Sequence, residues 1–403
     1  MRSVDIAVIG AGAAGLAFAH HLCAVPGGPS VALVEPDRTD PRRPGPRTWC
    51  YWETGPGAFD DLLTASWDHA DVWSADGLRT RHPLGPSRYK MLRSDHLADA
   101  VLGRLARTPG SGRVTGTVTR VRTRPGHAEV TVEHAGASST LRAGWVLDSR
   151  PRPQPPGGRT NLVQHFEGWF VRTERPAFDP AAPLLMDFRV PQPPGTGLAF
   201  GYLLPLDDRN ALVEYTVFGR APWPRPAYHQ PLAAYLCEVL RVGDYQVTAV
   251  EAGAVPMTDA PHPRADGARH LRIGTAGGAV RPATGYSFAT SQRQARATAR
   301  AVAAGRPPVP PRPYPRRHLL MDAVVLRALD QGRIGPDFFT RLFRANRTAN
   351  VLRFLDGTSN PAQELAVGLR SPLRPMLRSC LDLARHHLGS ARAQTADPAT
   401  EVP

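Results

Sequence analysis

Lysine is almost missing from this 403-residue chain: Lys90 is the only one among 49 basic residues, the rest being arginine. The formal charge of +14 comes with abundant Pro and Ala, a pattern of GC-rich coding as much as of a selected basic patch. No basic cluster is interleaved with aromatics and no nucleic-acid-binding motif occurs, so a nucleic-acid partner is not expected; attraction to anionic lipid head groups stays open. The four cysteines (Cys23, Cys50, Cys237, Cys380) are scattered without C-x-x-C spacing, which argues against a metal site and a disulfide framework and for a reducing compartment. No window holds eighteen uninterrupted apolar residues, so no spanning helix is expected. There is no internal repeat, and the first strand begins too near residue 1 to leave room for a secretory leader. The expectation is a cytoplasmic protein, peripheral to the inner face of the cell membrane.

What is present begins at once. Asp5 to Ile9 reads as a buried strand, Gly10-Ala11-Gly12-Ala13-Ala14-Gly15 as a glycine turn opening a helix, and Ser30 to Val34 as a second strand ending in Glu35. Gly10 permits the tight turn, Gly12 lets backbone approach a pyrophosphate, Gly15 lets the helix lie close on the strand, and Glu35 can accept hydrogen bonds from a ribose diol. The helix N-terminus presents unpaired N–H groups and its positive dipole end to phosphates. A lone glycine motif is weak evidence. Here strand, helix and distal acid stand in order, so a dinucleotide site is expected rather than a small-residue turn in an ordinary βα unit.

After a polar loop (Pro36 to Arg47) comes an aromatic cluster, Trp49, Tyr51 and Trp52. Residues 87 to 97 pass from a strand into a helix with the stripe Leu97, Val101, Leu102, Leu105. Strands are expected over Arg113 to Thr123 and Ala128 to His134, then at Trp145 to Asp148, and again over Gln164 to Arg172, Leu184 to Phe188, Gly197 to Leu204 and Asn210 to Phe218. So many strands without helices between them imply an antiparallel sheet inserted into the nucleotide domain. The βα pattern returns at His270 to Ile273, followed by Gly274-Thr275-Ala276-Gly277-Gly278 and a helix from Thr284 to Ala304; a stiff proline linker runs from Pro307 to Pro315. The fold class is therefore α/β, a Rossmann-type dinucleotide-binding domain (residues 1–48, 87–150 and 265–305) with an inserted antiparallel-sheet substrate domain (49–86 and 151–264). A helical cap or membrane-contact region (316–388) and a disordered tail (389–403) complete it.

These pieces in this order resemble the lycopene cyclases of the bacterial β-cyclase type and their plant relatives, from about residue 3 to 370. Gln164-His165-Phe166-Glu167-Gly168-Trp169 resembles the family's Q-x-F-x-G-W segment, Leu212-Val213-Glu214-Tyr215-Thr216 its L-x-E-x-T motif, and Gly253-Ala254-Val255-Pro256-Met257 its G-x-(I/V)-P-M turn. Residues 273 to 288 resemble its second flavin motif. The resemblance implies FAD held across both glycine motifs and active when reduced, with NAD(P)H as candidate external reductant, and a reaction of no net redox change that converts lycopene to β- and/or γ-carotene. Arg93 resembles the arginine that contacts the flavin ribityl or pyrophosphate in the wider group. Thr275-Ala276 stands where many members carry an acid, so phosphate contacts there fall to backbone amides around Gly277 and Gly278. Asp148, at a strand's carboxyl end, is a further cofactor candidate.

Cyclising an isoprenoid end needs a strong acid, a dry pocket and a base for the last proton. Glu214 is the candidate acid, since apolar neighbours would keep its carboxyl protonated and the strand's period of two puts Leu212, Glu214 and Thr216 on one face. Trp49, Tyr51, Trp52, Phe166, Trp169 and Tyr286 are candidates for lining the substrate site and facing a carbocation, each with core packing as the alternative. Glu53 is open between proton traffic and solvent. The stripes around Leu319-Leu320, Phe338-Phe339, Leu342-Phe343, Val351-Leu352 and Phe354-Leu355, with Arg327, Arg341, Arg344, Arg347 and Arg353, suit either a membrane-surface helix or a packed cap. A related cyclase of another prenylated substrate, or a flavin-dependent monooxygenase or isoprenoid reductase on the same scaffold, is the alternative. Ring type, one or two cyclised ends and oligomeric state are left open.

Overall fold

A computed structural model describes residues 2–37, 45–152, 157–195 and 197–395, with side chains through residue 385. In chain order its elements are β1 (Arg2–Ile9), α1 (Ala13–Leu22), β2 (Val31–Glu35), β3 (Thr48–Thr54), β4 (Leu63–Trp67), β5 (His69–Trp73), β6 (Arg79–Pro83), β7 (Ser87–Arg93) and α2 (Ser94–Arg107). There follow β8 (Gly112–Thr115), β9 (Thr117–Arg124), β10 (His127–His134), β11 (Ala137–Asp148), β12 (Asn161–Thr173), β13 (Leu184–Asp187), β14 (Leu198–Pro205), β15 (Asn210–Gly219), α3 (His229–Ala234), β16 (Tyr245–Thr258), β17 (Ala265–Gly267) and β18 (His270–Arg272). The chain closes on helices α4 (Phe288–Ala303), α5 (Arg316–Asp330), α6 (Pro336–Ala345), α7 (Thr348–Asp356), α8 (Pro361–Leu369) and α9 (Leu373–Thr395).

The first sheet has the order β17-β18-β11-β1-β2-β8, with the β9–β10 hairpin attached through β11. Its centre is parallel: β1 pairs β11 and β2, β2 pairs β8, and β11 pairs β18. Such a strand must be apolar on both faces. In β1, Ile6 and Val8 pack on the side of α1, α2 and α4, and Ala7 and Ile9 on the side of Val118, Val130 and Val132. The order and the flanking layers are those expected of a Rossmann-type domain.

The second sheet has the order β16-β12-β15-β14-β13-β5-β6, antiparallel except where β13 meets β5. One face packs on α3 and the π-helical turn that continues it (Tyr235–Val239), through Val213, Tyr215, Leu232 and Leu236. The other turns toward α5 and α6 through Phe200, Phe218, Leu326 and Phe339. Alternation along β15 produces both faces from one strand.

Four expectations need correction. Residues 48–67 do not join the inserted sheet: β3 and β4 pair with β7 in a separate three-stranded sheet, and Tyr51 and Phe59 complete the core of the nucleotide domain. The strand expected over 113–123 breaks at Gly116, whose φ of +147° interrupts it. The last nucleotide-domain helix starts at Phe288, because residues 281–287 form a tight loop in which Gly285 N–H and Arg281 N–H bond the Arg281 and Tyr286 carbonyls. Helix α9 continues to Thr395, since Ala391, Arg392, Ala393 and Gln394 are good helix formers; the rest of the expected tail lies outside the described residues. Among the described residues no helix is long and apolar enough to cross a membrane, and no cluster of metal-ligating side chains occurs.

Candidate active site

The glycine turn after β1 is built for an extended anionic ligand. Gly10 takes a φ of +93° and its N–H donates to the Val34 carbonyl at 2.8 Å. No side chain caps α1, whose N-cap is Gly12 with Ala13 and Ala14 following, so no capping side chain satisfies the first-turn amides. A Cβ added at Gly12 would meet nothing within 4 Å. At Gly15 the same addition would collide with the Gly10 carbonyl, so this glycine sets the helix against the strand. Gly274, at φ +61°, brings the second motif onto the first: its Cβ would lie 2.8 Å from that of Ala14. Gly277 and Gly278 complete that turn, Gly278 in the left-handed region. Open space, uncapped amides and two touching glycine turns fit a dinucleotide pyrophosphate. Glu35 is buried at the end of β2, with Arg113 Nε at 2.8 Å.

Asp148 is placed otherwise than expected. Its carboxylate is fully buried against His270 Nε2 at 3.0 Å, Arg150 at 2.8 Å and Arg272 at 3.1 Å, so it joins β11 to β18 rather than facing the turn. Ser149 is the residue that meets the turn, its Oγ donating to the Ile9 carbonyl at 2.8 Å. Burial alone would raise the Asp148 carboxyl, but hydrogen bonds from His270 and Arg150 and the Arg150 charge hold it well below the carboxylate range. A depressed folded pKa contributes stability present above the unfolded value of about 3.9 and lost as pH falls through the folded one. Asp148→Asn should therefore destabilise clearly at pH 7 and progressively less below about pH 4, as urea melts at the two pH values would show. An equal loss at both would sink the assignment.

Glu214 projects from β15 into a cavity of about 320 Å³. Thr216, Phe166, Tyr286 and Trp49 share its lining with Gln164, Phe200, Phe218, Phe338 and Phe339. The carboxyl is buried, and its pKa is raised well above the ordinary value, first by desolvation and next by the charge of Glu251, against a lowering hydrogen bond with Thr216. Burial thus favours the neutral carboxylic acid of Glu214 over its carboxylate in a chamber lined largely by aromatic side chains. Register explains the pairing: Gly168 of β12 lies opposite Glu214 on one side and Glu251 of β16 on the other, while Tyr202 flanks Glu214 from β14. A Cβ on Gly168 would approach Glu214 Cγ to 2.7 Å, so the missing side chain is the space through which the two acids face each other.

Glu251, Gly168, Tyr202 and Cys50 are not among the sequence-derived candidates. Glu251 accepts from Thr48 N–H and Oγ1, both at 2.7 Å, and from Arg93 Nη1 at 3.1 Å. Its available signal was parity, since Glu251, Gly253 and Val255 alternate on β16 and all line the cavity. Tyr202 and Tyr89 share a hydrogen bond of 2.8 Å between hydroxyls, and burial pushes the neighbouring Cys50 thiol up to about 12, so the charged side chains at this end of the cavity are Glu251, its partner Arg93 and Arg47. Glu251→Gln should lower the Glu214 pKa. A proton donor works below its pKa, so the falling limb of kcat/KM against pH should move to lower pH. An unmoved limb would show that Glu251 does not tune the acid.

The aromatic candidates divide. Trp49 and Phe166 face the cavity, and Tyr286 meets Trp52 edge-on at 4.7 Å. Tyr51 packs on Phe288 at 4.6 Å inside the nucleotide-domain core, and Trp52 stands behind Tyr286 and Tyr89, so neither lines the main cavity. Trp169 is on the wrong face: three residues from Phe166 in a strand, it points to the opposite side, where its Nε1 donates to Glu167 at 3.1 Å. Arg93 is committed to Thr48 and Glu251 with its guanidinium 4.7 Å from the Phe170 ring centre, rather than directed at the glycine turns. Glu53 pairs with Lys90 at 3.1 Å and Arg296 at 3.3 Å, away from the cavity. In the cap, Phe338, Phe339, Leu342, Phe343, Val351 and Leu352 are buried, so those stripes are the cap's inner wall and not a membrane face.

The sequence profile of a family described as lycopene cyclase protein matches residues 5–381. No curated protein sequence matches significantly. Solved structures sharing the fold include a flavoprotein/dehydrogenase from Cytophaga hutchinsonii (TM-score 0.65, 14% identity, 95% of this chain and 100% of that one covered). Another is a geranylgeranyl bacteriochlorophyll reductase-like protein from Thermoplasma acidophilum (0.63, 14%, 95% and 100%). A third is p-nitrophenol 4-monooxygenase from Pseudomonas putida (0.57, 15%, 95% and 98%). At these identities the likeness is one of fold, a Rossmann-like α/β core with a helical cap.

Proposed function

The chain belongs to the lycopene cyclase protein family, and on that premise we propose that it is an FAD-dependent cyclase of a long apolar polyene, lycopene in the first place. The observation that carries this reading is the buried Glu214, its pKa raised by burial, in an aromatic-lined chamber beside a Glu251 that Thr48 and Arg93 anchor. The residues that would hold FAD are those of the two touching glycine turns, with Glu35 at the ribose. Reduced flavin, when bound, supplies negative charge near a developing cation.

Glu214 gives its proton to the terminal alkene at C2, the cation at C1 is attacked by the C5–C6 alkene, and a C6 proton returns to the carboxylate, so substrate and product are isomers. Thr216 orients the carboxyl, and the faces of Trp49, Phe166 and Tyr286 favour the cation. Phe200, Phe218, Phe338 and Phe339 exclude the water that would quench it. Expression in lycopene-accumulating bacteria tests the reading: cyclic pigment of unchanged mass supports it. A second reading, a flavin-dependent reductase or monooxygenase, is favoured by the structural neighbours, among them a reductase-like protein, a monooxygenase and a flavin-dependent brominase. It requires a product heavier by two hydrogens or one oxygen and a stoichiometric reductant. A cyclase of a shorter prenylated substrate would instead leave lycopene untouched and cyclise the shorter chain.

A further inference from the structure

The cap is apolar on its outside as well as its inside. Leu365 and Leu369 of α8 and Leu373, Leu377 and Leu381 of α9 recur every fourth residue, and with Leu319 and Leu320 in the first turn of α5 they are between 42% and 65% exposed. Spacing of four keeps a helix's residues on one face. The opposite side of α9 is the packed one: Ser379 and Leu383 are buried, Arg333 donates to Ser379 at 3.1 Å, and it pairs with Asp382. Glu364 ties α8 to the start of α5 through His318 at 2.7 Å and Arg317 at 3.2 Å. The leucines of α8 and of α9 thus lie on the solvent face of each helix, opposite Val367 and opposite Ser379 and Leu383 respectively, and Glu364 sets α8 beside the first turn of α5 with its exposed Leu319 and Leu320.

Charge on this side is sorted. Arg370, Arg374 and Arg378 each follow a leucine of the series, are exposed, and pair with no carboxylate among the described residues. The acids of the same helices are all turned to protein cations: Asp322 to Arg281, Asp330 to Arg220, Glu364 to Arg317 and Asp382 to Arg333. A second copy of the chain is a poor occupant, because a two-fold interface would set these arginines against their own kind with no acid between them.

We propose that this Leu/Arg face docks on an anionic lipid bilayer, the leucines entering the acyl boundary and the arginines meeting head-group phosphates. The purpose of the docking rests on the cyclase reading, since the inner wall of the same cap encloses the chamber for an apolar substrate; its physics does not. The test floats the full-length protein with vesicles of phosphatidylcholine alone and of equal parts phosphatidylcholine and phosphatidylglycerol, without substrate. The wild type should float with the anionic vesicles far more than with the neutral ones. Replacing Arg370, Arg374 and Arg378 together by Gln should weaken anionic binding about 10²-fold, and Leu373→Ser, Leu377→Ser and Leu381→Ser together should remove binding to both. All six side chains are exposed, and circular dichroism checks that the variants are folded. Failure of the wild type to float, or floating indifferent to both triple variants, overturns the proposal. So does a wild-type dimer that the leucine variant dissociates without any vesicle binding. Because lycopene takes no part, a wrong substrate would leave these outcomes unchanged.

Discussion

Glu214→Gln is expected to lower ring formation by about 10²–10⁴-fold, the loss typical of a removed general acid, with flavin still bound and the fold intact. The amide keeps the shape of the side chain and its reach to Thr216 but has no proton of comparable acidity. The site is favourable for the substitution, because a neutral amide replaces a carboxyl whose neutral form burial favours, so the exchange strands no buried charge. Flavin binding should survive because the glycine turns lie on the first sheet and Glu214 on the second. Glu214→Asp withdraws the acid by one methylene and should keep partial activity only where the substrate can follow it. Gly168→Ala offers an independent check: the added Cβ would press on Glu214 Cγ at 2.7 Å and should lower activity by displacing the acid without removing it. Cyclisation assayed anaerobically with reduced flavin, beside flavin content, separates these outcomes. Near wild-type turnover by Glu214→Gln with FAD bound would place the proton donor elsewhere.

Much of this site was legible from local pattern. The strand, turn, helix and distal acid of the first motif, the second glycine turn, and the face shared by Glu214 and Thr216 all follow from periods of two and 3.6 residues and from turn chemistry, which act within a few residues. What escaped depends on pairing between distant segments. Glu251 meets Glu214 only because β16, β12 and β15 are in a register that sets Gly168 between them, and no spacing along the chain records that register. The three-stranded sheet of β3, β7 and β4 is of the same kind, and it draws Tyr51 into the nucleotide-domain core and Trp52 behind Tyr286. Trp169 is different, since its parity relative to Phe166 was readable and places it on the face toward α3. The cap stripes were legible in composition and left open in direction. An amphipathic period fixes which residues share a face and not what the face meets, so the phenylalanines of α6 took the inner wall and the leucines of α8 and α9 stayed outside.

Gly12→Val should abolish flavin binding in a protein that still folds, and the structure separates those two effects. The backbone at Gly12 is extended, with φ −83° and ψ −175°, a region valine adopts without strain. No protein atom lies within 4 Å of the position a Cβ would take. The cost to folding is then that of a poor helix N-cap, roughly 1 kcal/mol. Any larger defect must come from what the open space is kept for. If a pyrophosphate lies there against the first-turn amides, the valine pushes it out of reach of two charge-assisted hydrogen bonds at roughly 1.5–3 kcal/mol each, so the dissociation constant should rise by about 10²–10⁴-fold. Gly15→Ala makes the contrasting case, because its Cβ would strike the Gly10 carbonyl and force α1 away from β1; that variant should lose thermal stability as well as flavin. Flavin absorbance of the purified protein, FAD titration of the apoprotein and a thermal melt distinguish the pair. A yellow Gly12→Val protein with wild-type affinity would mean that the space outside α1 is not the pyrophosphate site, and the dinucleotide would have to be anchored from the second glycine turn alone.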